Sequence, residues 1–117
     1  MNNIVDSKTA GVDLSAKQYY AVKLSAADTV NLATATTNDA FVLLNDPESG
    51  EAAAICLFGR CKVKIGGNVS VNSKLGVDTD GMLVAKTIAG TKFFARALEA
   101  GVDGDIIDAY VFPSQKV

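Results

Sequence analysis

The hexapeptide Arg60-Cys61-Lys62-Val63-Lys64-Ile65 decides the fold class, because charged and apolar residues alternate in it without interruption. Successive side chains of a β-strand point to opposite faces of the sheet. The three basic residues therefore share one face, and the three apolar residues share the other. This alternation predicts an antiparallel strand that is buried on one face and exposed on the other.

Short apolar runs separated by clusters of Gly, Asn, Asp and Ser continue on both sides of this strand, and they are typical of further strands. We predict these at residues 18–24, 30–33, 40–44, 52–58, 69–71, 82–86, 92–97 and 105–112. Between two of them, residues 45–50 predict a turn in which Gly50 takes a positive φ. Only residues 25–29 and 95–100 could form a helical turn, and both are too short to be stable alone.

The fold class that follows is mainly β: a compact antiparallel β-barrel or sandwich with at most one or two short helical turns. Residues 1–16 are polar and weakly patterned, which predicts an extended N-terminal arm before a single β-rich domain over residues 17–117. The arm could add a strand to the sheet edge of a neighbouring protein. The alternative is a frayed terminus without a role.

Length and charge restrict the classes of function. The 117 residues fit one domain. A formal net charge of −2 and a pI near 4.9 argue against a nucleic-acid partner, since phosphate binding favours basic domains. No apolar run approaches the roughly 20 residues that span a bilayer, so we expect no membrane partner. The first residues lack the features of a signal peptide, and we expect the chain to stay in the cytoplasm unless it leaves within a larger particle.

The sequence offers no recognisable catalytic site. It has no His, so neither a Ser-His-Asp nor a Cys-His arrangement can form, and neither glycine-rich phosphate motif occurs. We therefore expect a protein that is not an enzyme and needs no cofactor.

The candidate metal ligands are also unconvincing. Cys56 and Cys61 have a C-x4-C spacing that matches neither zinc nor redox motifs. They are interpreted as two buried thiols, with a hairpin disulfide as the alternative. Asp78 and Asp80 resemble part of a calcium loop, but the acids that such a loop needs at positions 76 and 87 are missing. We interpret both as turn formers, with weak calcium binding at a subunit junction as the alternative.

Two surface features are the best candidates for recognition. The stripe of Arg60, Lys62 and Lys64 could contact an acidic patch on a partner, or it could be a solvated strand face. The pairs Tyr19-Tyr20 and Phe93-Phe94 each place one ring on either side of a predicted strand. One ring of each pair is then exposed or covered by a neighbour, which favours oligomerisation.

Six strings, taken in order, resemble the capsid cement or head-decoration proteins of tailed bacteriophages. They are VDLSAKQYY at 12–20, FVLLNDPESGEAA at 41–53, GRCKVKIGG at 59–67, DG at 80–81, ALEA at 97–100 and GDII at 104–107. The resemblance implies a β-barrel-like virion protein, often a homotrimer, that passes through the host cytoplasm before assembly. It would bind the outer capsid surface at threefold and quasi-threefold positions and clamp adjacent subunits of the major capsid protein.

On this interpretation the candidate residues fall into two sets. The capsid-interface candidates are Val12, Asp13, Leu14, Tyr19, Tyr20, Arg60, Lys62 and Lys64. The oligomer-interface candidates are Phe93 and Phe94. No catalytic or metal-binding residue is assigned.

Two other binding classes stay open. A tail-tube or head–tail joining subunit is also β-rich and forms rings. A biotinyl- or lipoyl-like carrier domain would need a Lys at an exposed hairpin tip, typically between two Met. Neither Met1 nor Met82 adjoins a Lys.

Overall fold

The computed structural model describes residues 3–35 and 39–117. The regular secondary structure in these residues consists of β-strands, without a helix. Nine strands occur in this part of the chain: β1 (Asn3–Ala10), β2 (Ala21–Ala26), β3 (Thr29–Leu32), β4 (Phe41–Leu43), β5 (Ala52–Lys64), β6 (Lys74–Val77), β7 (Leu83–Ala85), β8 (Lys92–Ala97) and β9 (Ile106–Lys116). In the described ranges there is no helix of the length and apolarity that crossing a membrane requires.

The first five strands form a closed barrel. Neighbouring strands follow the order β1-β3-β2-β4-β5, and the ring closes because β1 also pairs with β5. Residues 3–9 of β1 run antiparallel to residues 52–59 of β5, whereas Thr9 and Ala10 pair in parallel with β3. The predicted mainly-β fold is therefore confirmed, in the form of a five-stranded barrel with additional strands.

The additional strands extend from the second half of β5 in the order β9-β8-β6-β7. A single parallel bridge between Ile65 and Leu83 brings the last strand back to the end of β5. The Gly66 amide donates to the Leu83 carbonyl across it, at 2.9 Å. Strand β5 thus lies in both halves of the molecule, and the predicted strands 52–58 and 60–65 are one continuous strand.

Gly59 is the point where β5 passes from one half to the other. It pairs with Asn3 on β1 and with Val111 on β9, and its φ of +108° is a conformation that glycine adopts most easily. Before it Ile55 is buried in the barrel, and after it Val63 is buried in the second half. Glycine at this position allows one strand to serve two cores.

The two cores differ in size. The barrel core consists of Ala10, Leu14, Val22, Val30, Leu43, Ala53 and Ile55. The larger core lies between the barrel and the additional strands and contains Phe94, Leu75, Leu83, Val63, Ile65 and Ile107 among others. Small Ala and Val residues dominate both, which suits the narrow interior of a small barrel.

The N-terminal segment departs from its prediction as an arm. It is extended over Asn3–Ala10, but this stretch is strand β1 of the barrel, and residues 1–2 lie outside the described part. The sequence pattern is weak because Ile4 and Val5 remain 58% and 48% exposed. Main-chain pairing with β5, rather than burial of its own side chains, holds most of β1.

The other differences concern short elements. Predicted strand 69–71 reduces to a bridge between Val69 and Gly101. Neither proposed helical turn forms, because residues 25–26 belong to strand β2 and residues 95–97 to strand β8. Strand β6 was not predicted, since Gly76 interrupts its apolar run. A Cβ at Gly76 would lie 2.6 Å from the Lys92 carbonyl oxygen, so the close approach of β8 explains the glycine.

Candidate interaction face

The alternation predicted for residues 60–65 is present in the structure. Cys61, Val63 and Ile65 are buried, while Arg60 and Lys62 are exposed and Lys64 is half-buried. The basic stripe therefore lies on the outside of the sheet, where its neighbours are set by the register of β5, β9 and β8.

That register places a mixed set of side chains on one side of the three strands. Tyr110 lies between Arg60 on β5 and Arg96 on β8, and Asp108 lies opposite Lys62. Since side chains two residues apart share a face, we define the outer face as Phe58, Arg60, Lys62, Lys64, Arg96, Leu98, Ile106, Asp108, Tyr110 and Phe112.

An ion-pair cluster occupies the middle of the outer face. The Asp108 carboxylate accepts from Arg60 Nη2 at 2.7 Å and from Lys62 Nζ at 3.2 Å. These hydrogen bonds, first from Arg60 and then from Lys62, hold the pKa of Asp108 below its ordinary value of 3.8. The Glu99 side chain accepts from the Asp108 amide at 3.0 Å, so a second carboxylate lies beside the cluster. The basic stripe is thus partly neutralised within the chain.

An aromatic row runs along the same face. The rings of Phe58 and Tyr110 meet edge to face at 5.5 Å, Tyr110 and Phe112 lie 6.3 Å apart, and Phe112 meets Phe93 at 5.6 Å. Phe58 and Tyr110 are each 39% exposed. Two large rings are therefore available on a rigid sheet without any rearrangement.

The prediction that Phe93 and Phe94 form an oligomer interface is wrong. They are only 3% and 2% exposed, because a shift of register between Phe93 and Ala95 breaks the strict alternation of β8. Phe94 lies in the larger core, and Phe93 is covered by Phe112 and by Lys74, whose Nζ is 5.3 Å from the ring centre. Neither ring is presented to another subunit.

Leu98 and Ile106 extend the apolar part of the outer face toward the loop between β8 and β9. They are 41% and 47% exposed, and the Leu98 amide donates to the Asp108 carbonyl at 3.0 Å, which continues the β8–β9 register. Exposed aliphatic and aromatic groups interspersed with cations are typical of surfaces that another protein covers.

The N-terminal candidates are divided by the structure. Val12 is 42% exposed and Asp13 is exposed, whereas Leu14 is 1% exposed in the barrel core. Leu14 is therefore withdrawn as an interface residue: its amide donates to the Pro47 carbonyl, and its side chain fills the barrel. Asp13 accepts from the Ser15 amide at 3.0 Å and so shapes the local turn.

Tyr19 and Tyr20 precede β2 instead of lying in a strand, and both are half-buried. Tyr19 has a φ of +71°, and its carbonyl accepts from the Lys64 amide at 2.9 Å. Tyr20 is covered by Lys17, whose Nζ lies 4.8 Å from the ring centre. The structure thus brings Tyr19 to the end of the basic stripe.

The members of the outer face that were not predicted from the sequence are Phe58, Arg96, Leu98, Ile106, Asp108, Tyr110 and Phe112. A signal existed in β9, where Ile106, Asp108, Tyr110 and Phe112 alternate with a second apolar set. Because both sets are largely apolar, the sequence alone does not tell which one faces outward. The pairing of β9 with β5 settles the question.

The cysteine and aspartate interpretations agree with the structure. Cys56 and Cys61 are both free and buried, and the pKa of Cys61 is raised by its hydrogen bond to Cys56 and by burial. Asp78 accepts from the amides of Asp80 and Met82 at 2.8 and 3.0 Å, as expected of a turn former.

Comparison with known proteins shows a likeness in fold but none in sequence. No protein-family model matches the sequence, and no curated protein sequence matches it. Among solved structures, the fold is similar to that of the head fiber gp8.5 N base in bacteriophage phi29, with a TM-score of 0.70. The two are 18% identical, and the match covers 94% of each chain. The likeness shows that the two proteins share a fold over nearly their whole length.

Proposed function

We propose that this chain is a structural protein of a tailed-bacteriophage head, and that it binds the outer capsid surface and clamps adjacent subunits of the major capsid protein. The observation that carries the proposal is the shared fold with the base of a phage head fiber over 94% of both chains. The ordered strings that resemble head-decoration proteins support the same assignment from the sequence. The proposal gives the chain no catalytic step.

The outer face supports this role physically. Clamping two subunits requires a rigid surface, and here the side chains stand on three paired strands whose inward-facing residues are buried in the larger core. Aromatic side chains have only two rotatable χ angles, so they lose little conformational entropy when a partner covers them. The cations on this face would orient the chain on its partner more than they would add affinity.

A tail-tube or head–tail joining role has less support, because the structural neighbour belongs to a head.

A second candidate function is to seat an appendage on the head, since the neighbour is the base of a fiber. The two candidates differ in one measurable respect. A clamp raises the heat resistance of the shell, whereas a seat for an appendage binds without that effect.

The proposal extends to association of the chain with itself as a homotrimer, in line with the decoration proteins that the sequence resembles. Threefold closure would limit assembly to a discrete cap. Light scattering of the purified chain would then give three times the 12.1 kDa chain mass. A monomer at all concentrations would contradict this part of the proposal and leave head binding open.

The direct test uses heads of the phage that carries the gene, prepared without this protein. Purified chain added in excess should co-sediment with these heads up to a saturating amount and raise the temperature at which they rupture. Heads of an unrelated phage are the control. Chain that remains in the supernatant at saturating concentration would contradict the proposed function.

A further inference from the structure

Charge is distributed unevenly between the two halves of the molecule. Residues 1–59 carry three Lys and seven Asp or Glu, whereas residues 60–117 carry eight Lys or Arg and six Asp or Glu. The barrel half is therefore acidic and the half beyond Gly59 is basic, although the whole chain has a net charge of −2. The outer face lies on the basic half.

Within the outer face the cations exceed the carboxylates. Arg60 and Lys62 share the single carboxylate of Asp108. Over residues 3–35 and 39–117, neither Lys64 nor Arg96 takes part in an ion pair. Even with Glu99 counted, the face keeps an excess of positive charge.

The apolar groups are interleaved with these cations, and this arrangement indicates the kind of partner. Tyr110 stands between Arg60 and Arg96 in the register, and Ile106 stands opposite Lys64. Phosphate-binding surfaces concentrate cations without carboxylates, whereas this face holds Asp108 at its centre. Aromatic and Arg anchors beside apolar groups are typical of protein–protein contacts.

We propose that the outer face docks on a net-acidic protein surface of the head shell, with Tyr110 and Phe58 as apolar anchors and Arg60, Lys62, Lys64 and Arg96 facing carboxylates. This inference rests on the proposed function and names the partner chemistry and the residues. A second copy bound face to face on this surface fits less well, because two copies of the face related by twofold symmetry would oppose cation to cation.

Asp108 acts in this arrangement as a positioning residue. Before binding it holds Arg60 and Lys62 in place at 2.7 and 3.2 Å, which reduces the conformational freedom that these long side chains lose when the partner arrives. Removing its carboxylate should therefore weaken docking less than reversing the charge of the cations themselves.

The test compares two double variants with equal changes of charge. Lys62→Glu with Arg96→Glu alters the outer face, and Lys17→Glu with Lys23→Glu alters the barrel half. Binding to heads that lack the protein is measured by co-sedimentation at low and at high ionic strength, after thermal unfolding shows that each variant is folded. Lys62→Gln with Arg96→Gln replaces the first variant if that one does not fold.

We expect wild-type binding to weaken as salt is raised. The outer-face variant should bind roughly tenfold or more weakly at low salt, because reversed charges then face like charges. The barrel variant should bind like the wild type. Two other results would overturn the inference. If the outer-face variant still binds heads but no longer self-associates, the occupant of the face is a second copy of the chain. If the variant still binds heads but no longer binds DNA, the occupant is DNA.

The two proposals fail in different ways. If wild type and the outer-face variant bind heads equally at both ionic strengths, the docking face is wrong and the proposed function stands. If wild-type chain does not bind heads at all, the proposed function itself is wrong, and the docking inference falls with it.

Discussion

Val12 and Leu14 show at the scale of single residues why surface assignments need the fold. They are two positions apart and both apolar, yet Val12 is 42% exposed and Leu14 is 1% exposed. The segment that contains them is not a regular strand, so the alternation of inward and outward side chains that holds in a strand does not apply there. The hydrogen bond from the Leu14 amide to Pro47 fixes which side chain enters the barrel.

This difference can be measured as stability. We expect Leu14→Ala to lower the free energy of unfolding by about 2–5 kcal/mol, because it leaves a cavity in a fully buried site. Val12→Ala is the matched control and should change it by less than about 0.5 kcal/mol. Urea denaturation checks both, and equal effects of the two substitutions would contradict the burial of Leu14.

Asp108 gives a prediction about pH. Its pKa is lowered in the folded chain by Arg60 and Lys62, so the stabilisation from these pairs is present above the unfolded value near 3.8 and is lost as the pH falls through the lower folded value. Asp108→Asn should therefore be less stable than wild type at neutral pH, by under about 1 kcal/mol because solvent screens the pairs.

Denaturation of wild type and Asp108→Asn across acidic pH is the measurement. The difference in unfolding free energy should shrink toward zero below pH 3.8. The control is Asp103→Asn, since Asp103 is exposed and forms no ion pair with any described residue. A difference that persists at the lowest pH would show that Asp108 stabilises the chain by some means other than its charge.

At the scale of elements, strands with strict alternation were predictable and strands held by main-chain pairing were not. β8 was predicted with its observed bounds, 92–97, and the burial phase of residues 60–65 was correct. β1 escaped prediction because its hydrogen bonds to β5 are invisible in its own sequence, and β6 because Gly76 interrupts it. The outer face was half predictable: its β5 stripe could be seen in the sequence, but its β9 members depend on a pairing across more than forty residues.

The assignment of β1 to the barrel predicts that it is essential for folding. Ala10 is 1% exposed, so Ala10→Asp would bury an unpaired carboxylate and should cost about 3 kcal/mol or more. Ala52, which pairs with Thr9 on the exposed side, is the matched position. Ala52→Asp should unfold at nearly the wild-type temperature, and an Ala10→Asp variant as stable as that control would mean that β1 is an arm after all.

At the scale of the whole molecule, one strand joins two halves of opposite charge. β5 contributes buried residues to both cores and so connects the outer face with the barrel. The acidic barrel would then point away from an acidic shell while the basic half faces it. If the outer face docks as proposed, this polarity would give the chain one preferred orientation on the head before any specific contact forms.

Electron cryo-microscopy of heads with and without the gene would decide whether the chain decorates a phage head. We predict difference density of the size of this fold on the outer shell, between adjacent capsid subunits, with the β5–β9–β8 side toward the shell. Identical reconstructions of the two heads, or difference density confined to the tail, would mean that the chain does not decorate the head.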